Sequence, residues 1–160
     1  MLSTIKNIIQ KEKFSPSFLG FFINYNFLLR KGLKKAISNN SNKLNGVLLD
    51  FGCGSKPYKK YFTSVNQYIG VDIKIEVREE NHQYIDKFYD GKIIPFNDET
   101  FDSLLSTEVL EHVFNVEDVL KEMNRVLKRG GKALITTPFM WEEHEMPYDF
   151  ARYTTPALIH

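Results

Sequence analysis

Asp50, Gly52 and Gly54 alternate at the end of the apolar run Val47-Leu48-Leu49, and a second acid, Asp72, closes the run Tyr68-Ile69-Gly70-Val71. Glycines at 52 and 54 remove the Cβ atoms that would hold a ligand off the backbone, and they open torsions closed to other residues. A carboxylate just before such a turn meets a cationic or amino-bearing ligand. A carboxylate at the end of a following strand can accept hydrogen bonds from both ribose hydroxyls. S-adenosylmethionine carries both kinds of group. A dinucleotide fingerprint needs a third glycine where Pro57 stands, so NAD is disfavoured.

A second group of reactive residues is Glu108, Glu111 and His112. If Glu108 opens a helical turn, the three share one face at i, i+3 and i+4, and two carboxylates and an imidazole could meet one ion. An acceptor hydroxyl would need a base, for which His112 and His144 are the candidates. The segment Trp141 to Tyr153 mixes acids, aromatics and Arg152, a composition suited to a sugar-like or polar small substrate and equally to a loop ordered by its own Arg–acid pairs.

The elements that must position these groups alternate from Gly46 onward. The pattern predicts strands over 47–51, 67–72, 83–89, 101–106 and 132–137, with helices from about 56 to 64 and over 115–128. The second helix carries Val116, Val119, Leu120, Met123, Val126 and Leu127 on one face, with Asn115 as N-cap and Gly130 at its end. Such a βα series calls for a largely parallel sheet with ligands at the carboxyl ends of the strands. Residues 1–37 read as two helical pieces broken at Ser15-Pro16, and 38–45 as an Asn- and Ser-rich linker. Residues 1–45 are therefore expected to form a helical cap and linker, and 46–160 the cofactor-binding domain, in a single domain overall.

The strings VLLDFGCGSKPY (47–58), YIGVD (68–72), YDGKIIPFNDETFDSLLSTEVLEHV (89–113) and RVLKRGGKALITTP (125–138) stand in an order that resembles the class I S-adenosylmethionine-dependent methyltransferases, type 11-like. The resemblance implies a Rossmann-like α/β fold, a largely parallel sheet flanked by helices. Its usual seven strands are here expected to lack the last two, because the pattern stops in a helix start at Thr155-Pro156. It implies that Asp50, Gly52 and Gly54 hold the methionine end of the cofactor and Asp72 the ribose. Asp90 resembles the position that contacts the adenine amino group, and Glu108 would lie near the cofactor. Some small-RNA and ubiquinone-pathway O-methyltransferases use a Glu-x-x-Glu-His segment for a divalent metal. That makes Glu108, Glu111, His112 and His144 an alternative metal set in place of a metal-free site. The implied reaction transfers a methyl group to a small-molecule or glycan hydroxyl, or to an amine. The alternatives are a cofactor-binding but catalytically silent module and a metal-assisted RNA 2′-O-methyltransferase.

Composition narrows the setting. The chain has 160 residues with 42% hydrophobic and 14% aromatic residues, enough for one packed core. Net charge is +1, yet residues 1–60 hold eleven Lys and Arg against two acids, and residues 61–160 ten against eighteen. The acidic back half adjoins the proposed site, which argues against nucleic acid there. The basic, aromatic front suits a cap over the cofactor or a peripheral membrane contact. The lone Cys53 excludes an intrachain disulfide and fits a reducing compartment, with a packing role in the turn. No cleavable signal is evident and the run from Phe18 to Leu29 is too short and polar to span a bilayer, so a cytoplasmic setting is expected. An uncovered sheet edge would make dimerisation plausible.

Overall fold

The computed structural model describes residues 14, 16, 26–74 and 81–159. The expected first helical piece and most of the aromatic run from Phe18 lie outside the described residues. The chain then runs through α1 (Phe27–Asn40), β1 (Gly46–Phe51), β2 (Val65–Ile73), β3 (Lys87–Tyr89), β4 (Phe101–Thr107), α2 (Val116–Val126), β5 (Leu127–Thr136) and the short α3 (Thr155–Ile159). The strands form one sheet in the order β3-β2-β1-β4-β5, and every pairing is parallel. The expected Rossmann-like architecture is present, with five strands.

Alternation along β1 divides the core. Leu49 and Phe51 face one layer, where Val119, Met123 and Val126 of α2 pack with Phe101 and Leu104. Leu48 faces the other, with Ile37 of α1, Leu44, Tyr58, Phe62 and Leu105. Burial on both faces explains why β1 reads as a near-continuous apolar run. No helix among the described residues is long and apolar enough to cross a membrane.

Several boundaries differ from the sequence pattern for local reasons. The predicted linker starts as helix: Asn40 Nδ2 donates to the Ala36 carbonyl and Ser41 Oγ to that of Ser38, so polar side chains satisfy end carbonyls instead of breaking the turn. The predicted helix over 56–64 is only a 3-10 turn, Lys59–Tyr61. The predicted strand over 83–89 shortens to Lys87–Tyr89. The 115–128 helix begins without a side-chain cap from Asn115 and stops at Val126, not near Gly130, and Leu120 on its predicted apolar face is exposed. Leu127 turns extended and pairs with Phe101, while Glu99 and Thr100 N–H groups take the Arg125 and Val126 carbonyls.

Arg125 joins α2 to the segment leading into β4. It donates to the carbonyls of Ile94 (3.0 Å) and Phe96 (2.9 Å) and to the carboxylates of Glu122 and Asp98, and Glu122 in turn accepts from the Ile94 N–H. Removing the guanidinium orphans two carbonyls at once. Arg125→Ala should lower unfolding free energy by about 1–3 kcal/mol in urea titrations, with lysine restoring only part because it lacks the planar fork.

Candidate active site

The glycine turn after β1 is held by β2. The N–H groups of Gly52 and Cys53 donate to the Val71 carbonyl at 2.8 and 3.1 Å. Gly54 N–H donates to Asp72 Oδ2 at 2.7 Å, and Ile73 N–H to Asp72 Oδ1 at 2.8 Å. Gly52 has φ +73° and a Cβ there would collide with the Val109 methyls. Gly54 has φ +48° and a Cβ there would meet nothing within 4 Å. The turn therefore approaches open space with a bare backbone, flanked by Asp72. This arrangement fits a bound nucleoside, with a carboxylate beside the turn.

Asp50 lies beneath this turn, 3% exposed, and accepts a hydrogen bond from Tyr68 Oη at 2.6 Å. Burial pushes its carboxyl up to about 7, against the pull of the Tyr68 hydroxyl and the Lys56 charge. Lys56 was not anticipated from the sequence. Its side chain crosses Gly70, where a Cβ would strike it, and its ammonium pairs with Asp86, which also accepts the Gly70 N–H. Cys53 is buried, which raises its thiol pKa and supports a packing role. Asp90 is exposed, and its carboxylate accepts from the N–H groups of Lys92 and Ile93 at 2.8 Å, a local turn bond.

At the ends of β4 and β5 the predicted Glu108–Glu111–His112 face does not form. Glu108 takes φ +55°, and only Leu110–His112 forms a 3-10 turn. Glu108 instead accepts from Thr136 Oγ1 at 3.1 Å, and burial raises its carboxyl pKa. The group that does converge is Glu111, His112 and His144, whose candidate ligand atoms all lie within 4.8 Å of one another. Glu108 is thus corrected out of the metal set.

Glu111 is fully buried with neither carboxylate oxygen hydrogen-bonded, and burial pushes its pKa up to about 8. His112 Nδ1 lies 2.7 Å from the Tyr148 carbonyl, and His144 Nδ1 lies 3.2 Å from both the Glu142 carbonyl and Asp149 Oδ2. Oxygen acceptors at both Nδ1 atoms favour Nδ1–H tautomers and leave each Nε2 a lone pair for a proton or a metal.

The segment after β5 is stitched to this turn by Phe150 N–H to the Glu111 carbonyl and Tyr153 Oη to that of Leu110. Arg152 follows the second of its two sequence readings: it is committed to Asp149 and to the carbonyls of Trp141, Glu142 and Ala151. Large apolar side chains exposed there include Phe139, Met140, Met146, Tyr148 and Phe150, with Phe114 edge-on against Phe150. Lys56 and the Asp50 partner Tyr68 carried no local sequence signal. Their roles depend on contacts between distant segments.

The family described as methyltransferase domain matches residues 49–135. The chain belongs to this family. The methyltransferase domain is 33% identical over 126 residues to the uncharacterized protein MJ1123 of Methanocaldococcus jannaschii, covering 78% of this chain and 58% of that protein. It is 30% identical over 149 residues to the mitochondrial ubiquinone biosynthesis O-methyltransferase of Rattus norvegicus, covering 80% of this chain and 41% of the enzyme. The chain thus spans about half the length of these curated relatives. The crystal structure of the [4+2]-cyclase SpnF superposes with a TM-score of 0.61 at 21% identity, over 81% of this chain and 55% of that one, and shows the fold alone.

The buried acids of the methyltransferase domain give its stability a defined pH dependence. Asp50 and Glu111 hold protons in the native state up to about 7 and about 8, against ordinary values of 3.8 and 4.5. Their contribution is fully present below about pH 4 and is lost as pH rises through those folded-state values. Denaturant midpoints should therefore fall between about pH 5 and pH 8, and Asp50→Asn with Glu111→Gln should flatten that slope.

Proposed function

We propose that this chain binds S-adenosylmethionine and transfers its methyl group to a hydroxyl, or an amine, of a small molecule or glycan. The observation that carries this reading is the bare Gly54 backbone facing open space, its N–H bonded to Asp72, with Asp50 buried beneath the same turn. Family membership supports the cofactor, and the name of the rat relative supports a hydroxyl acceptor. The bound cofactor would supply an already activated sulfonium methyl for in-line displacement.

The residues would then do three things. Asp72 accepts from the ribose hydroxyls while its bond to Gly54 N–H fixes the turn. Asp50, with Asp90 and Glu108 at the margins, completes the polar lining around the amino-acid and adenine ends. His112 or His144 takes the acceptor's proton at Nε2 as the oxygen gains the methyl group, its Nδ1–H held by a carbonyl. Tyr148 and Phe150 offer aromatic faces on which a ring-shaped acceptor can stack. α1 serves as the cap of the domain.

A second reading is favoured by one observation, the buried Glu111 carboxylate, which accepts no hydrogen bond and lies 3.8 Å from His112 Nε2. Glu111, His112 and His144 could hold a divalent ion that draws the acceptor hydroxyl's pKa down, in which case the imidazoles are ligands and not bases. The mixed oxygen and imidazole donors suit Mn²⁺ or Fe²⁺ as well as Mg²⁺.

Calorimetric titration with S-adenosylhomocysteine should give micromolar binding, and Asp72→Ala should weaken it by about 1–3 kcal/mol. Unchanged affinity in that variant would remove the ribose assignment, and tight binding without turnover on any acceptor would mark a silent module. Melting curves with added Mn²⁺ decide the second reading. A rise in melting temperature that disappears in His112→Ala and His144→Ala supports a metal, and full methylation in the presence of EDTA rejects it.

A further inference from the structure

The outer face of α1 carries apolar and basic side chains with no acid among them. Leu33 and Ile37 turn inward, onto the cluster of Leu44, Tyr58, Tyr61 and Phe62. That orientation sets Leu28, Lys31 and Lys35 on the opposite stripe, where all three are exposed, Leu28 by 75%. Leu29 overhangs the core at 47% exposure. From Asn26 to Lys60 the chain holds eight Lys and Arg and one acid, Asp50, which is buried. Lys59 and Lys60 are exposed on the 3-10 turn Lys59–Tyr61, whose Tyr61 packs in the same layer as α1.

A second apolar strip meets the first. Phe139 and Met140 are 64% and 75% exposed, and the next residue, Trp141, has its ring centre 4.6 Å from the Arg30 guanidinium carbon. That contact brings the start of α1 beside the segment after β5. Single exposed apolar side chains need no explanation, but large ones from two distant segments that adjoin mark a surface made to be covered. Apolar side chains beside lysines, with no acid among them, match the boundary between acyl chains and anionic headgroups. A nucleic acid would use the lysines and leave the leucines idle. A second copy of this chain, docked through the same face, would bring its positive charges against their own kind.

We propose that this face docks on the surface of an anionic lipid bilayer. Leu28, Leu29, Phe139 and Met140 enter the boundary between headgroups and acyl chains, and Lys31, Lys35, Lys59 and Lys60 meet the anionic headgroups. The described part of the chain then lies on the membrane and not across it, with the start of the segment after β5 at the lipid surface. Docking of this kind needs neither the cofactor nor methyl transfer.

The test is co-sedimentation of the full chain with vesicles of phosphatidylcholine alone, and with phosphatidylglycerol as about one-third of the lipid. Binding should appear on the anionic vesicles and weaken about fivefold in each of Lys31→Gln and Lys35→Gln. Lys121→Gln, on α2 in the other layer, should bind like wild type. Leu28→Ser with Leu29→Ser, and separately Phe139→Ser with Met140→Ser, should each lose about tenfold or more. All these positions are exposed, so far-UV circular dichroism and melting temperature should stay near wild type. Trp141 is the one tryptophan of the chain, and lipids brominated in their acyl chains should quench its fluorescence. Binding without that quenching would put another face on the bilayer and overturn the proposal. So would no binding to anionic vesicles, or equal losses in Lys121→Gln and Lys31→Gln. Leucine variants that bind vesicles like wild type would also overturn it: the face then belongs to a second copy if they dissolve a dimer in sedimentation velocity, or to nucleic acid if single-stranded RNA binds through the same lysines.

Discussion

Two amide hydrogens, those of Gly52 and Cys53, converge on the Val71 carbonyl, and the site depends on that contact. Parallel pairing sets Phe51 opposite Val71, so the carbonyl lies where β1 leaves the sheet. A one-residue slip would turn every side chain of β2 to the other face and move Asp72 away from Gly54. Register is pinned instead by burial of Leu48 and Leu49 on opposite faces of β1. The same hydrophobic packing that makes the sheet thus places the second carboxylate beside the glycine turn.

Three acids at the strand ends show how the surroundings set charge. Asp50 and Glu111 are both buried and pushed upward, but Asp50 keeps a donor in Tyr68 whereas Glu111 has none for its carboxylate. Asp149 goes the other way, held well below the usual carboxylate range by hydrogen bonds from Arg152. Arg152 thereby orders the segment after β5 and brings His144 beside His112, with ring centres 4.8 Å apart. A residue that looks in the sequence like a substrate contact is in fact what positions the candidate base.

The central strands and the two acid-terminated turns were legible because buried parallel strands leave unbroken apolar runs and glycine turns leave spaced glycines. Asp50, Gly52, Gly54 and Asp72 stand at the ends of β1 and β2 and in the turn between them. What escaped had no local signature. The helix expected over 56–64 gives way to one short turn after Lys56, which takes φ +54°, and Pro57. Glu108 leaves its predicted face through a single left-handed torsion. Tyr68 reads as a strand aromatic until β1 supplies Asp50, and Arg30 as a solvated helix charge until Trp141 closes on it. Periodicity reports which face is buried and says nothing of partners many residues away.

The crossing of Lys56 over Gly70 links two positions that no motif connects. A methyl group at 70 would occupy the path of the lysine stem, and a side chain at 56 too short to cross would leave Asp86 without its cation. Drift at either position is therefore constrained by the other. The pair tolerates joint change more readily than change at one position, so this side of the turn behaves as a two-residue unit.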